Sequence, residues 1–377
     1  MRKKTRRKTA PASRRDATGV LGRRRHSSIA PRWSSPMPDE LLRTPFTQQV
    51  GIEVPLICGA MYPCSNPELI AAVSDAGGIG IIQPVAMRFV HGHDLTEGIR
   101  LIRRSTDKPI GFNAIVEKSS RIYEDRMRRW TETALEEGVR FFTTALGNPR
   151  WVVDLVHGVG GIVYHDVTDQ KWADKALDAG VDGLICVNDR AGGHAGTHSP
   201  EALFESLADR GVPLICAGGV GAEGDFARAL KMGYAGVQMG TRFIATTECR
   251  AHDDYKRAIV GARSDDIVLT DKISGVPVSV IKTPYIDKVG TRAGPIARRL
   301  LRHPRAKHWM RMAYSLRSIW QLKQASLEGS GYRDYFQAGK SVDGIASVDS
   351  AADVVRRFAE AVCWGTFSNQ SESKTTS

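Results

Sequence analysis

The 377-residue sequence lacks several features that mark specialised classes of protein. It has six cysteines but no CxxC pair, so the common zinc and redox spacings are absent. No apolar run approaches the ~18 residues that a membrane-spanning helix needs. No GxGxxG turn stands near the start, where a dinucleotide-binding sheet would carry one. We therefore expect a cytoplasmic protein without disulfides, metal sites or a membrane partner.

The positive charge is concentrated at one end of the chain. The formal net charge is +12, and residues 1–35 carry +11 of it, so the remaining chain is nearly neutral. Residues 1–36 have few apolar side chains and are predicted to be a disordered basic tail. No apolar stretch follows the arginines, which argues against a secretory signal. We expect a dispensable tail, with folded sequence from Met37 and no nucleic-acid partner; a targeting or RNA-binding arm is the alternative.

From residue 54 onward, short apolar runs alternate with amphipathic helices. Between the first two runs, Asn66 and Pro67 predict a helix start and Gly77 predicts its end. Apolar runs without polar alternation are typical of parallel strands buried on both faces. Eight such repeats predict an α/β fold, a (β/α)8 TIM barrel over residues 37–280. A doubly wound sheet is the structural alternative. The runs lie at 54–61, 79–83, 110–116, 141–147, 161–167, 183–187, 213–220 and 235–243.

Two glycine-containing segments close the predicted barrel. AGGVG (217–221) ends the seventh strand and GVQMGTRF (236–243) ends the eighth. Glycines allow backbone N–H groups to approach an anion, and a following helix N-terminus adds positive potential. Because barrels often bind phosphate after strands seven and eight, the two segments together predict a phosphate site.

The stretch RAGGHAGTHSP (190–200) follows the sixth predicted strand. His194 stands there among glycines on the rim where barrel enzymes carry their chemistry. A flat ligand could approach this backbone, and a histidine with a pKa near neutrality could act as a general base. We expect His198 to be a capping or surface residue. The pair is not predicted to bind metal, because no third ligand at a suitable spacing is visible.

Together these segments resemble the nitronate monooxygenase family, formerly called 2-nitropropane dioxygenases, which also looks similar to flavin-dependent enoyl reductases. The resemblance runs from about Pro45 to Ala361, and AGGH followed by the two glycine segments is its most specific part. It implies FMN as cofactor and His194 as the catalytic residue. The sequence segments that carry it are PLICGAM, ELIAAVSDAGGIGII, GFNAIV, GVDGLICVNDRAGGHAG, PLICAGGV, GVQMGTRF and AGKSVDGI.

The resemblance also assigns residues to the cofactor. The first-strand loop would back the flavin ring, two polar side chains would reach the ring edge or ribityl chain, and a glycine would lie at the ring. The late glycine segments would form the two halves of a phosphate cradle. In that order the residues are Gly59, Ala60 and Met61; Gln83 and Asn113; Gly193; Gly218 and Gly219; and Gln238, Met239, Gly240 and Thr241.

Two positions depart from the family pattern. Asp166 stands where the family commonly has a lysine, which could stabilise negative charge on reduced flavin. Arg190 stands where it commonly has a glutamate. Arg190 could attract an anionic substrate or pair with Asp189 at the surface.

The implied reaction is oxidation of an alkyl nitronate by FMN and O₂ to a carbonyl compound and nitrite. His194 would either remove the α-proton of a nitroalkane or, as imidazolium, hold the anion. One alternative is an NAD(P)H-dependent flavin oxidoreductase of the enoyl-reductase type. Another is a nucleic-acid-binding protein that acts through the basic tail.

The chain continues beyond a minimal barrel. SGVPVSVIKTPYID (274–287) looks extended, and the basic segment 297–326 is predicted to be helical. This part, within a C-terminal segment at 281–365, could be a lid, a homodimer surface or a site for an acidic partner. DYFQAGKSVDGI (334–345) should return to the rim of the active site, and residues 366–377 should be a disordered tail.

Overall fold

A computed structural model of the chain describes residues 41–117, 121–272, 277–292, 323–324, 326–327 and 335–372, with side chains as far as residue 362. The predicted basic tail and most of the predicted basic helix at 297–326 lie outside the described residues.

The core of the fold is a closed barrel of eight parallel strands in sequence order. Its strands are shorter than the apolar runs in the sequence, because the ends of those runs form the turns. Strand β1 also pairs with β8, which closes the barrel. The strands are β1 (Leu56–Cys58), β2 (Ile79–Ile82), β3 (Gly111–Ile115), β4 (Phe141–Ala145), β5 (Ile162–Val167), β6 (Gly183–Val187), β7 (Leu214–Ala217) and β8 (Gly236–Met239).

Helices connect the strands and continue past the barrel. Helix α2 begins after Asn66 with Pro67 at its first position, as predicted. The Asn66 side chain does not cap it, however, and instead donates to Glu68 and to the carbonyl of Glu248. The helices are α1 (Pro45–Val50), α2 (Pro67–Asp75), α3 (Pro84–Phe89), α4 (Leu95–Arg103), α5 (Arg121–Glu136), α6 (Arg150–His157), α7 (Gln170–Asp178), α8 (Pro200–Leu207), α9 (Glu223–Met232), α10 (Thr241–Ile244), α11 (Asp253–Gly261), α12 (Pro284–Val289) and α13 (Ala351–Glu372).

The amino end of the barrel is plugged by α1. Phe46 is fully buried there, and its ring lies 5.6 Å from that of Phe141 and 5.5 Å from that of Tyr164. The Tyr164 hydroxyl donates to Gln49 Oε1 at 2.8 Å. Since this end is filled with side chains, a ligand can reach the barrel interior only from the carboxyl end of the strands.

The strand register decides which side chains face the interior at that open end. Ile185 belongs to the interior core, and Asp166 is its register partner on β5. In the same way Gln238 is the partner of the interior residues Ile57 and Ala217. Paired residues of parallel strands point to the same face of the sheet. Polar side chains therefore replace the apolar core towards the carboxyl end.

The chain after the barrel forms additional structure against the open end. Strands β9 (Ile267–Thr270) and β10 (Val278–Ile281) form an antiparallel sheet. The segment 274–287 is predicted to be extended, and its described part, from residue 277, is a strand at β10 and then begins α12. The reason is local: Thr283 caps α12 through its side chain, and Pro284 stands at the first helical position.

Helix α13 returns to the barrel and packs against α9 and α2, with Phe358 5.6 Å from Phe226. It continues to Glu372, beyond residue 365, where we placed the start of a disordered tail. A helix anchored by packing over its first turns extends by adding one hydrogen bond for each further residue.

None of the helices within the described ranges combines the length and the apolar character that crossing a bilayer would require.

Candidate active site

The loops after β7 and β8 form a cradle of free backbone N–H groups. Gly218 and Gly219 have φ angles of 119° and 79°, in the left-handed region that favours glycine. On the neighbouring strand, β8, the residues Gly240 and Thr241 directly follow the last strand residue. Within the described residues, none of these four N–H groups has a protein acceptor. Free N–H groups on two neighbouring loops fit a phosphate, as the sequence predicts.

The start of α9 does not contribute to this cradle, contrary to expectation. The N–H groups of Gly221 and Ala222 both donate to the Asp225 carboxylate at 3.1 Å. Glu223 adds a second acidic side chain to the first turn. The helix therefore neutralises its own N-terminus, and the N–H groups left free for an anion among the described residues are those of the two glycine loops.

The loop after β1 lies beside the β8 half of the cradle. The N–H of Gly59 donates to the carbonyl of Met239, and a Cβ at Gly59 would lie 3.0 Å from Gln238 Cγ. Met61 extends towards Gly240, whose added Cβ would lie 3.4 Å from Met61 Sδ. Next to these residues, Ala60 packs against the interior core of the barrel. The predicted ring-backing and phosphate residues thus share one side of the opening.

The two predicted polar contacts have partners within the protein. Asn113 Oδ1 accepts a hydrogen bond from Thr143 Oγ1 at 3.3 Å, which leaves its amide nitrogen for a ligand. Gln83 Oε1 accepts from the N–H of Ala86 at 2.6 Å and so caps α3. Only the amide nitrogen of Gln83 remains to approach a ring edge. The sequence predicted no helix directly after β2, so this capping role was missed.

His194 lies on the loop between β6 and α8. Gly193, with a φ of 69°, accepts a hydrogen bond from the N–H of Ser279 on β10 at 2.8 Å. The loop is therefore held against the additional sheet. The His194 side chain is exposed, but it stands in a crowded concave mouth, and desolvation there lowers its pKa. The imidazole is neutral near pH 7 and can accept a proton.

His198 is exposed on the same loop, as expected. Its Nδ1 lies 3.3 Å from the Thr168 carbonyl oxygen.

Asp166 is the ionisable group that faces the barrel interior from β5. It is partly open to solvent in the mouth, yet desolvation raises its pKa to about 7. His165 beside it points to the outside of the barrel, where its Nδ1 lies 2.7 Å from Thr144 Oγ1. Burial lowers the pKa of His165 to about 4, so this ring is also neutral. The mouth thus carries no fixed positive charge from β5.

Asn188 is a residue that the sequence reasoning missed. It is fully buried directly after β6, and its Nδ2 donates to the carbonyl of Gly218 at 3.0 Å. Its Oδ1 accepts from the N–H of Arg190 at 2.9 Å, and its carbonyl accepts from Ala191 and Gly196. One side chain therefore joins the histidine loop to the phosphate cradle. The only signal in the sequence is a polar residue immediately after an apolar run.

Arg190 lies against the cradle. A Cβ at Gly219 would approach to 2.5 Å of Arg190 Nε, and the Arg190 carbonyl accepts from the N–H of Lys340 at 2.9 Å. No ion pair between Arg190 and Asp189 is found among the described residues. Gly339, the residue before Lys340, donates its N–H to Thr241 Oγ1 at 3.0 Å. The segment 334–345 therefore does return to the rim of the site.

Neither a groove at the amino end of the barrel nor a metal centre offers a second candidate site among the described residues. A groove of about 570 Å³ opens at the amino end of the barrel, but Arg43 is its one charged lining residue. Over the described part of the chain, no group of three His, Cys, Asp or Glu residues could hold a metal ion. Of the described residues, the ionisable Asp166 and His194 and the free N–H groups of the cradle all lie at the carboxyl end of the strands.

Comparison with known proteins identifies relatives of the chain. The family model described as nitronate monooxygenase matches residues 43–360. A (3aS,4S,5R,7aS)-5-hydroxy-7a-methyl-1-oxo-octahydro-1H-indene-4-carboxyl-CoA dehydrogenase of Mycobacterium tuberculosis is 33% identical over 67% of this chain and 70% of its own. A nitronate monooxygenase of Pseudomonas aeruginosa is 31% identical over 61% of this chain and 77% of its own.

Among solved structures, FabK from Thermotoga maritima is similar, with a TM-score of 0.73 and 29% sequence identity. The match covers 88% of this chain and 99% of FabK.

Proposed function

The chain belongs to the nitronate monooxygenase family of flavin-dependent oxidoreductases, and from this we propose that it binds FMN and oxidises alkyl nitronates with O₂ to a carbonyl compound and nitrite. The family match supports the reaction class, and the site geometry supports the roles of individual residues.

The observation that carries the FMN proposal is the cradle of four free N–H groups. A monophosphate needs several hydrogen-bond donors and close backbone approach, and Gly218, Gly219, Gly240 and Thr241 offer both. Asn188 holds the β7 half in place from the β6 side. The cofactor ring would then extend from the cradle across the barrel mouth, past Gly59 and Met61.

Electrostatics of the mouth favour a neutral substrate over a preformed anion. His194 is neutral near pH 7, and Asp166 is either neutral or negative. Neither group holds a nitronate, whereas a neutral imidazole can remove the α-proton of a nitroalkane. We propose that His194 makes the nitronate within the site and keeps its proton there as imidazolium. That imidazolium then stabilises the anion it has produced.

Bound FMN would supply the electron acceptor for the nitronate and the route by which electrons reach O₂. The protein would place the substrate carbon between His194 and the ring. The free amide nitrogens of Asn113 and Gln83 would donate to the cofactor from the opposite rim.

The test is the visible absorption spectrum of the purified protein, followed by nitrite release in air. We expect a flavin spectrum, FMN on extraction, and nitrite formation from a small primary nitroalkane at pH 7–8. A colourless protein that takes up no added FMN would contradict the cofactor proposal. A flavoprotein that releases no nitrite from either nitroalkane or nitronate would contradict the reaction.

A second candidate is oxidation or reduction of a thioester next to its carbonyl group. The Mycobacterium tuberculosis relative is a carboxyl-CoA dehydrogenase by name, and the neutral mouth suits a C–H acid of either kind. Anaerobic mixing separates the candidates. Rapid bleaching of the flavin by NADPH, followed by reoxidation with an enoyl thioester, would favour a reductase. Bleaching by a nitroalkane alone would favour the proposed reaction.

A further inference from the structure

Three buried thiols cluster beside the cradle, and the proposed reaction uses none of them. Cys58 ends β1, Cys64 follows the β1 loop, and Cys249 follows α10. Each is at most 2% exposed. Cys58 stands close enough to Cys249 for the two groups to interact electrostatically. Cys249 is therefore the central member of the cluster.

Cys64 and Cys249 are in direct contact. Cys249 Sγ donates a hydrogen bond to the Cys64 carbonyl oxygen at 3.6 Å, and the two thiols also form a hydrogen bond with each other. The backbone around them is clamped, because Asn66 donates to the Glu248 carbonyl at 2.9 Å and accepts from the Arg250 N–H at 3.1 Å. The two segments cannot separate without breaking this clamp.

The surroundings of Cys249 favour its reactive form. The hydrogen bond with Cys64 lowers the pKa of the Cys249 thiol, and the backbone of Ala251 and the charge of Lys256 act in the same direction. They outweigh burial and the charge of Glu248, which raise it. Lys256 is 7% exposed, so solvent screens its charge only weakly. A thiolate is the nucleophilic form of cysteine. The same hydrogen bond, together with burial, raises the pKa of Cys64 and keeps it as a thiol.

We propose that Cys64 and Cys249 form an oxidation site that hydrogen peroxide closes to a disulfide, a property that goes beyond the proposed function. The Cys249 thiolate attacks one peroxide oxygen, the O–O bond breaks, and the leaving hydroxide takes up the proton that Cys249 released on ionisation. The resulting sulfenic acid is attacked by Cys64. The S–S bond forms, the S–O bond breaks, and the Cys64 proton leaves with the hydroxide as water. Overall, two thiols and one peroxide give one disulfide and two waters.

A second pair of neighbouring cysteines provides an internal control. Cys186 on β6 and Cys216 on β7 are register partners in adjacent strands. Burial raises the pKa of Cys216 to about 12 and raises that of Cys186 as well. Neither member of this pair supplies the thiolate that the first attack on peroxide requires, although the two are close together.

The experiment counts thiols in the full-length holoprotein before and after a brief peroxide treatment. After denaturation and alkylation, we expect the intact mass to show six alkylated cysteines before treatment and four after, out of the six in the sequence. Cys249→Ser should show five before and five after, and Cys186→Ser five before and three after. Peptide mapping should find Cys64 joined to Cys249, and dithiothreitol should restore the missing thiols.

A second readout is thermal unfolding. Cys64 and Cys249 are 185 residues apart, so the disulfide closes a large loop and should raise the melting temperature of the oxidised wild type but not of Cys249→Ser. If Cys249→Ser does not fold, Cys64→Ser serves as the same test. Retention of six thiols, a bond between Cys186 and Cys216 or between Cys58 and Cys249, or irreversible oxidation would each overturn the proposal.

Discussion

At the scale of single residues, two ionisable side chains in the barrel mouth have shifted pKa values that bear on the proposed substrate. Desolvation shifts both pKa values towards the neutral form, downwards for His194 and upwards for Asp166. A neutral base in a mouth whose carboxyl group is only partly ionised near pH 7 suits removal of a proton from carbon. It suits capture of an anion less well, so of the two roles that the sequence left open for His194 we propose proton removal.

Replacement of the proposed base tests this directly. We expect His194→Asn to keep its flavin but to oxidise a neutral nitroalkane about 100-fold more slowly or worse, the usual contribution of a general base. Oxidation of preformed nitronate should fall much less, because that substrate needs no proton removal. In the wild type, nitroalkane turnover should rise with pH through a pKa below the 6.5 of an ordinary histidine. Initial rates across pH 5–8 measure both effects.

The exposed His198 on the same loop is the matched control. His198→Asn should leave both substrates and the pH profile unchanged. Equal loss with nitroalkane and nitronate in His194→Asn would remove proton abstraction from the role of His194.

The raised pKa of Asp166 predicts how the stability of the protein changes with pH. This pKa is about 7 in the folded protein and 3.8 in the unfolded chain, so the folded state binds the proton more tightly between these values. The stability that this protonation contributes is present in acid and is lost as pH rises through 7. Asp166→Asn should therefore gain stability relative to wild type between pH 5 and pH 8. Melting temperatures of the two flavin-free proteins across that range measure the difference.

Asp343 offers a control of opposite sign. Hydrogen bonds from Ser264 lower the pKa of this exposed carboxyl below its usual 3.8. It is ionised in both folded and unfolded states above pH 5, so the effect of Asp343→Asn should not vary between pH 5 and pH 8. A constant difference for Asp166→Asn as well would show that its carboxyl is not desolvated.

At the scale of elements, the sequence predicts the features set by local periodicity and misses those that depend on partners far along the chain. The eight strands and most of the helices between them were predicted, because apolar runs and capping residues are local signals, whereas α3 and α10 were missed. Strand ends were wrong by up to four residues, since the residues beyond Cys58, Ala217 and Met239 form turns that carry the site. The capping role of Gln83 and the clamp at Asn188 depend on contacts that no local pattern reveals.

The residues assigned to the cofactor come together at one end of the barrel, and the reason is again topological. Parallel strands bring all their carboxyl ends to one rim, so any residue placed after a strand is placed at the mouth. Their individual contacts with FMN remain predictions. The sequence did not predict that the Asp225 carboxylate accepts hydrogen bonds from the N–H groups at the start of α9. Because those N–H groups are occupied, the glycine loops would have to hold an anion.

The β7 loop supplies the sharpest test at this scale. A side chain at Gly218 is disfavoured by its φ of 119° and would also place Cβ 2.6 Å from the N–H nitrogen of Ala191. Gly218→Ala should weaken FMN binding by about tenfold or more, the equivalent of about 1.4 kcal/mol. The Kd measured by flavin fluorescence gives this change.

Gly211 is the matched position, because its φ is 73° but nothing lies within 4 Å of an added Cβ. Gly211→Ala bears a similar backbone penalty away from the site. It should lower the melting temperature somewhat and leave the Kd for FMN unchanged. Equal Kd values for the two variants would mean that the β7 loop does not hold the phosphate.

At the scale of the whole molecule, ion pairs connect the end of the chain to the phosphate side of the barrel. Arg242 on α10 is 2% exposed and donates to Asp349 at 2.8 Å, while Arg357 on α13 donates to the same carboxylate at 2.6 Å. The Asp349 charge is thus shared between the cradle helix and the last helix. Desolvation alone would raise the Asp349 pKa, but hydrogen bonds from Ser347 and Arg357 and the charges of both arginines hold it below the usual range. The C-terminal helix is in this way part of the support of the site.

Residues 1–36 are expected to be unnecessary for activity. Almost all of the net charge lies in this segment, and no residue assigned to the site does. Deletion of residues 1–36 reduces the formal net charge from +12 to +1. We expect unchanged flavin content and unchanged turnover, because every site residue lies beyond Met37. The nucleic-acid-binding alternative predicts instead that the full-length protein binds duplex DNA at low salt, loses that binding steeply towards about 200 mM, as counterion release requires, and no longer binds once the tail is removed. Fluorescence anisotropy at several salt concentrations measures this. Turnover that falls with the deletion would show that the tail belongs to the working enzyme. DNA binding that survives the deletion would show that the tail is not the part that binds DNA.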